Sequence, residues 1–464
     1  MRKGIFIFLF LVGTVLRVCA DGALVETARW QSAIDTAAKA GGVVTIPPGR
    51  HLVGQLDLKS NVELHLEKGA VLEGVVGLEH YRVTTLPYSE GTWSAIVSAI
   101  GVTNVAITGE GEIFGNGGAW PRPKGLGGNQ EGQRARGVFF ADSRDIRLEG
   151  ISLRDAACWG IVFKCCENVT VRKVRVDSHA NVNNDGFDIE AKNVLVEDCD
   201  VDTDDDAFCI KSNDPNFVVE NVRVRNCRGR SHCYMFKVGT ASHGTVRDVR
   251  FENCRAENPR RSNDREGQGV LHASSPRFLP GYPNGGGVAA MAVENVDGGI
   301  VEDVAFDRIS FTGVHAPIFI RGGSRSGRPC GTPANDKYVF RNISIENAEG
   351  DCAGKLPSAI TGVDACRIHN VTLRNVSVLC RGADRDASLR AKIDPVPYKP
   401  RGYPCLLQSF SPHILPAFGL YVDRVDDIRL DNVRFQLRAE SPDARPAVAW
   451  GDVTGRVGLE LWGP

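Results

Sequence analysis

The chain has 464 residues, 42% hydrophobic and 24% charged, which provides for a sizeable core and excludes collagen-like, disordered or multi-span membrane proteins. Lys and Arg number 55 against 56 Asp and Glu, so no overall basic field points to nucleic acid. With 51 Gly and 23 Pro but only 3 Met, the composition predicts many turns and a core of Val, Ile, Leu and Phe.

Residues 1–20 read as a signal peptide. A basic start at Arg2 and Lys3 precedes an apolar run from Gly4 to Leu16, and Val18-Cys19-Ala20 offers a small-residue cleavage site before Asp21. At about 13 residues the run is too short for a comfortable membrane span. Attachment through Cys19 is the competing reading, against which Arg17 and Val18 suit lipoprotein processing poorly. The expectation is an exported chain, periplasmic or extracellular, cleaved near Ala20. Ala28 to Ala40 follows as a predicted short helix, with Trp30, Ala33, Ile34 and Ala37 on one stripe. Such a helix would cover the open strand edge at the start of a stack.

From there the chain repeats itself. A polar Asn or Asp leads into alternating β-branched residues at Asn104, Asp145, Asn168, Asn193, Asn221, Asp248, Asp303, Asn342, Asn370 and Asp427. Starts from Asp145 to Asp248 lie 23, 25, 28 and 27 residues apart, and two later gaps of 55 and 57 are about two such units. Each unit shows period-2 alternation and no long helical pattern. Units this short cannot bury their own faces and must stack, which predicts an all-β single parallel β-helix. The Leu-x-x-Leu-x-Leu framework of a leucine-rich repeat is absent, and a propeller blade would need about 40–50 residues. Residues 21–464 are expected to form one domain: cap and early coils over 21–120, acidic coils over about 140–250, and decorated later coils over 251–464. Insertions at Asn258–Gly287 and Arg381–Pro416 read as functional loops projecting from one face.

Thirteen cysteines remain after cleavage, so at least one is unpaired. Cys166, Cys199, Cys209, Cys227 and Cys254 sit inside strand patterns and read as small buried hydrophobes. Disulfides are expected among Cys330, Cys352 and Cys366, without assigned pairing. No spacing matches a zinc site and no cofactor motif is present. Asn-x-Ser/Thr matches at Asn168, Asn342, Asn370 and Asn375 fall in strand patterns and are read as chance.

One acidic cluster stands out. NVNNDGFDIE gathers Asn183, Asn184, Asp185 and Asp188, and DTDDDAFCIKS places Asp204, Asp205 and Asp206 in a row. Asp185 and Asp205 are 20 residues apart, about one coil, so they are expected to face one another across adjacent strands. Carboxylates held this close raise one another's pKa, so one stays protonated as an acid while others stay ionised. A calcium site and a solvated turn are the alternatives; recurrence at one-coil spacing beside Phe and Ile favours catalysis.

NNDGFD and DDAFCIKS resemble the motifs of the polygalacturonase-like enzymes of glycoside hydrolase family 28, bacterial branch. GGVVTIPPGRHLVGQLDLKSNVELHLEKGAVLEG and ITGEGEIFGNGGAW are similar to its early coils, and SAITGVDACRIHNVTLRNVSV to its late ones. The resemblance implies a right-handed β-helix and inverting hydrolysis of pectic polysaccharide without cofactor or metal, by a monomer that neither spans a membrane nor binds nucleic acid. It implies Asp205 as general acid, Asp185 and Asp206 as the pair that activates water, and Asn183 as an orienting group. Inversion needs the two functions about 6.5–9.5 Å apart.

Two motifs depart from that pattern. The family histidine has His232 as its nearest counterpart in RSHCYMFKVGTASHG, with His243 a second candidate. The cations that bind substrate carboxylate are expected at Arg321, Arg325, Arg328 and Lys237, although Phe319 occupies the first position of that motif. A uronate-containing substrate follows from these cations. A lyase or epimerase on the same fold would need a Lys or Arg base, and a non-catalytic binding module would keep only the groove; released products separate all three.

Overall fold

The computed structural model describes residues 24–89, 91–121, 133–260, 287–325, 337–385 and 415–458. It is a right-handed parallel β-helix in which the strands of the main sheet pair in parallel with their counterparts one coil on, beside one short antiparallel pair, Thr84–Thr85 with Thr92–Trp93. Strand Ile161–Arg172 pairs with Phe187–Glu197, which pairs in turn with Phe208–Ser212 and Val218–Arg225.

The residues at which the sequence repeats are its corners. All adopt a left-handed backbone, with φ between 52° at Asp248 and 63° at Asp427. Asn and Asp tolerate that conformation better than other side chains, so the chain bends there without glycine. The corner side chains also stack. Asn168 Nδ2 donates to Asp145 Oδ1 at 2.9 Å, Asn193 to Asn168 at 3.1 Å, and Asn221 to Asn193 at 3.0 Å. A second run passes from Asp303 through Asn342 to Asn370, each contact 2.8 Å. Aspartate has no N–H to donate, so it begins a run and cannot extend one.

The predicted two-unit gaps are each a single coil. Asp248 and Asp303 lie on directly paired strands, as do Asn370 and Asp427. The extra length is insertion, and most of it, residues 261–286 and 386–414, lies outside the described residues.

The helix covers residues 24–37, ending three residues before its expected limit, where the chain turns into Gly41 at φ 75°. Trp30 and Ile34 reach the core. The helix caps the strand edge through Gln31, whose Nε2 donates to Asp57 O at 3.0 Å and whose Oε1 accepts from Asp57 N at 2.8 Å. Inside the coils Phe187, Phe208 and Phe236 stack at 5.4 Å between centroids. Alternation then turns Asp188, Cys209 and Lys237 to the other face as one transverse row. Cys166, Cys199, Cys209, Cys227 and Cys254 are buried reduced thiols, as expected. Cys352, expected in a disulfide, is a buried reduced thiol too, because it lies within a strand that turns it into the core. Cys366 is disulfide-bonded, to a partner outside the described residues, where Cys330 also lies.

Candidate active site

Asp185 closes the loop before strand Phe187–Glu197, and Asp204–Asp206 form the equivalent loop before Phe208–Ser212. Gly186 allows the two loops to touch. A Cβ there would lie 2.4 Å from Val201 Cγ1 and 2.5 Å from Ala207 O, whereas Gly186 N donates to Asp206 O at 2.8 Å. Asn184 ties the same loops by side chain, its Oδ1 accepting from Asp205 N at 3.0 Å. Asp205 Oδ1 accepts from Asp206 N at 2.9 Å, and its carbonyl takes hydroxyl bonds of 2.6 Å from Thr203 and Ser231. The adjacency expected from the one-coil spacing of Asp185 and Asp205 is present.

Two lysines enter this cluster from the strands. Lys211 Nζ is 2.8 Å from Asp188 and 3.6 Å from Asp185, and lies 3.8 Å above the Trp159 ring. Lys237 Nζ donates to Asp206 Oδ2 at 2.9 Å and approaches Glu294 at 3.8 Å. The carboxylates respond in opposite directions. Burial, then the negative charges of Asp188 and Asp205, hold the Asp185 carboxyl well above its usual range against the pull of Lys211. Burial works against ionisation of Asp206 too, but Lys237 and Lys211 outweigh it and hold that carboxyl below its usual range. Within one buried cluster the two carboxyls are thus pushed apart, Asp185 toward holding a proton and Asp206 toward ionisation. Burial also pushes Glu294 up to about 7, less the opposing effect of Lys237.

Histidines form the rear wall. His179 lies between two carboxylates, Nδ1 at 2.8 Å from Asp204 and Nε2 at 3.2 Å from Asp202. Burial disfavours its cation, yet these two partners carry its pKa up to about 9. His232 reaches the cluster, with Nε2 3.7 Å from Asp204. His243 is half exposed beside Asp297 at 3.5 Å. His179, Asp204 and His232, or Asp205, Asp206 and Cys233, are close enough to share a cation. In both groups a proton or lysine already balances charge: imidazolium in the first, Lys237 in the second.

The expected substrate-binding residues are distributed differently. Asn183 accepts from Arg134 Nη2 at 3.1 Å, which ties its loop to the scaffold. Arg321 pairs in register with Glu294, one strand beyond it, and donates to Thr361 at 2.8 Å. Three strand spacings put it ~14 Å along the axis from the Asp205 loop. Arg325 is a correction: its guanidinium grips both oxygens of Asp297 at 2.9 and 2.6 Å, a bidentate pairing that holds it in the scaffold. Lys237 is likewise engaged by Asp206 and Glu294, because the alternation that faces it outward aligns it with them. Arg328 lies outside the described residues. Sequence reasoning missed Lys211, His179 and Glu294. Lys211 was detectable, since FCIKS places it on the same face as Cys209.

The family described as Glycosyl hydrolases family 28 matches residues 38–262. The chain is 29% identical over 155 residues to a probable polygalacturonase of Arabidopsis thaliana, spanning 33% of this chain and 32% of that one. It is 22% identical over 361 residues to a polygalacturonase of Gossypium barbadense, covering 76% and 79% of the two chains. The Yersinia enterocolitica family 28 exopolygalacturonase superposes with a TM-score of 0.64 at 19% identity, over 94% of this chain and 76% of that one, which shows the common fold.

Proposed function

The chain belongs to glycosyl hydrolases family 28, and from that premise we propose that it hydrolyses pectic polysaccharide of galacturonan or rhamnogalacturonan type by an inverting acid/base mechanism. The observation that carries the reading is one buried cluster in which Lys237 pairs with Asp206 at 2.9 Å while Asp185 lies among Asp188 and Asp205, so that the first carboxyl is pushed toward ionisation and the second toward keeping a proton. In this reading the cluster's proton, favoured on Asp185 at rest, passes to Asp205, which delivers it to the departing glycosidic oxygen and leaves Asp185 ionised. Asp206, with Asp185, accepts a proton from the water that attacks the anomeric carbon from the opposite face. The C–O bond breaks as the water oxygen bonds to carbon, and the cluster ends with the protons it began with. His232, beside Asp204, completes the wall of the site.

A lyase or epimerase needs a neutral lysine or arginine as base. Burial opposes the charge on Lys237, yet Asp206 and Glu294 hold its pKa well above the usual range and so keep it protonated. A binding module would have no need of a retained proton. The reading extends to a uronic acid in the substrate, with Arg321 as the cation that meets its carboxylate, and to a monomer. Among the described residues no helix is long and apolar enough to cross a membrane. We also take the chain to be exported after cleavage near Ala20; N-terminal sequencing of secreted material tests this. The deciding experiment is reducing-sugar release from a pectin panel. Saturated products of inverted configuration support hydrolysis, unsaturated products would establish a lyase, and no release from any substrate would overturn the enzyme reading.

A further inference from the structure

We propose that His179 is a positioning residue for Asp205, acting through a continuous set of side chains behind the acidic loops; this rests on the reading of Asp205 as general acid. His179 bonds Asp204 Oδ1 at 2.8 Å. The other oxygen of Asp204 accepts from Asn184 Nδ2 at 3.2 Å, and Asn184 Oδ1 accepts the Asp205 main-chain N–H at 3.0 Å. On its far side the ring is anchored to Asp202 at 3.2 Å, and Asp202 is held in turn by Arg260 Nε at 2.7 Å. The side chains of His179, Asn184, Asp202 and Asp204 are all buried. His179 therefore touches none of the carboxylates assigned to proton transfer, yet it fixes the frame in which Asp205 sits.

Other groups also face the ring. Asp155 Oδ1 accepts from the His179 main-chain N–H at 3.3 Å, Asp177 lies 4.0 Å from Nε2, and the His232 ring is 6.3 Å away between centroids. With carboxylates at both nitrogens the ring is an imidazolium that donates twice. It holds Asp202 and Asp204 together where they would otherwise repel.

The test is steady-state kinetics of His179→Ala and His179→Gln on the pectic substrate that the wild type cleaves. The expected result for His179→Ala is a kcat lowered ~10²-fold with KM changed less than about twofold, because a misplaced acid costs rate rather than binding. Its alkaline limb should move to higher pH, since removing a nearby cation makes the acid harder to ionise. His179→Gln, which can still donate to Asp204, should recover part of the rate. If His179→Ala fails to fold because Asp202 and Asp204 are left unneutralised, the same substitution in an Asp202→Asn, Asp204→Asn background, compared with that background alone, carries the kcat and KM readouts. Wild-type kcat in His179→Ala, or a changed KM with an unmoved limb, overturns the assignment. Loss of wild-type activity on chelation would also overturn it, assigning the cluster to a metal instead. A wild type inactive on every substrate would instead sink the hydrolase reading on which the assignment rests.

Discussion

Lys237 and Asp206 meet across 2.9 Å in a fully buried ion pair on neighbouring coils. Lys237 is thus the reason Asp206 stays ionised although burial opposes it. A base must be ionised to act, so a lowered pKa extends activity to lower pH. In Lys237→Met the acid limb of the pH–rate profile should move upward, with a loss of ~10²-fold near about pH 5 and a smaller loss at neutrality. Lys237→Arg should keep the limb nearer its place. A profile unmoved in Lys237→Met would show that another group is the base.

The three carboxylates can be separated by isosteric amides. Asp205→Asn, Asp185→Asn and Asp206→Asn should each lower kcat by about 10²–10⁴ while leaving the fold intact. Circular dichroism and reducing-sugar release check the two halves. Asp185→Asn is the most informative, since it replaces the carboxyl that holds its proton most strongly. If it alone retains activity, Asp185 serves as a neutral hydrogen-bond donor rather than as part of the base.

Stability should fall with rising pH in two steps. Glu294 is raised from 4.5 to about 7 in the fold. Between those values the unfolded chain ionises and the folded chain does not, so the native state loses about 3 kcal/mol as pH rises through that window. His179 is raised from 6.5 to about 9, so its contribution is complete below 6.5 and is lost as pH rises through about 9. Chemical denaturation of Glu294→Gln should lack the first step, and that of His179→Gln the second.

The corner ladder should be measurable rung by rung. Asn193→Ala forces a Cβ-bearing residue without local hydrogen bonding to hold φ 55° and removes contacts to Asn168 and Asn221. The expected cost is about 2 kcal/mol, of which Asn193→Gly, relieved of the backbone strain, should recover about half. Urea midpoints of the two variants check this. Equal midpoints would assign the whole effect to the ladder.

The coils were legible in the sequence because each corner favours Asn or Asp for a backbone reason, and residues such as Asn168 and Asn193 therefore recur whatever surrounds them. Asp185 and Asp205 were legible for a similar reason, being one coil apart. The partners of these acids were not. The face of Lys211 can be read from FCIKS, but which carboxylates it and Lys237 meet depends on the register between coils, and Arg325 depends on where Asp297 falls. His179 carries no signal in the sequence, since Asp202 and Asp204 come to it from the next coil. The two-unit gaps misled because spacing alone does not distinguish an inserted loop from an added coil.

The asparagine runs have a direction. Every rung from Asn168 to Asn221 gives its amide proton to the coil before it, never to the one after. During synthesis the acceptor has therefore already left the ribosome when its donor emerges. The chain can wind onto its own finished end, starting from the capping helix, without waiting for the residues still to come. An Asn221→Asp change would remove the last rung of that run while leaving every earlier one in place.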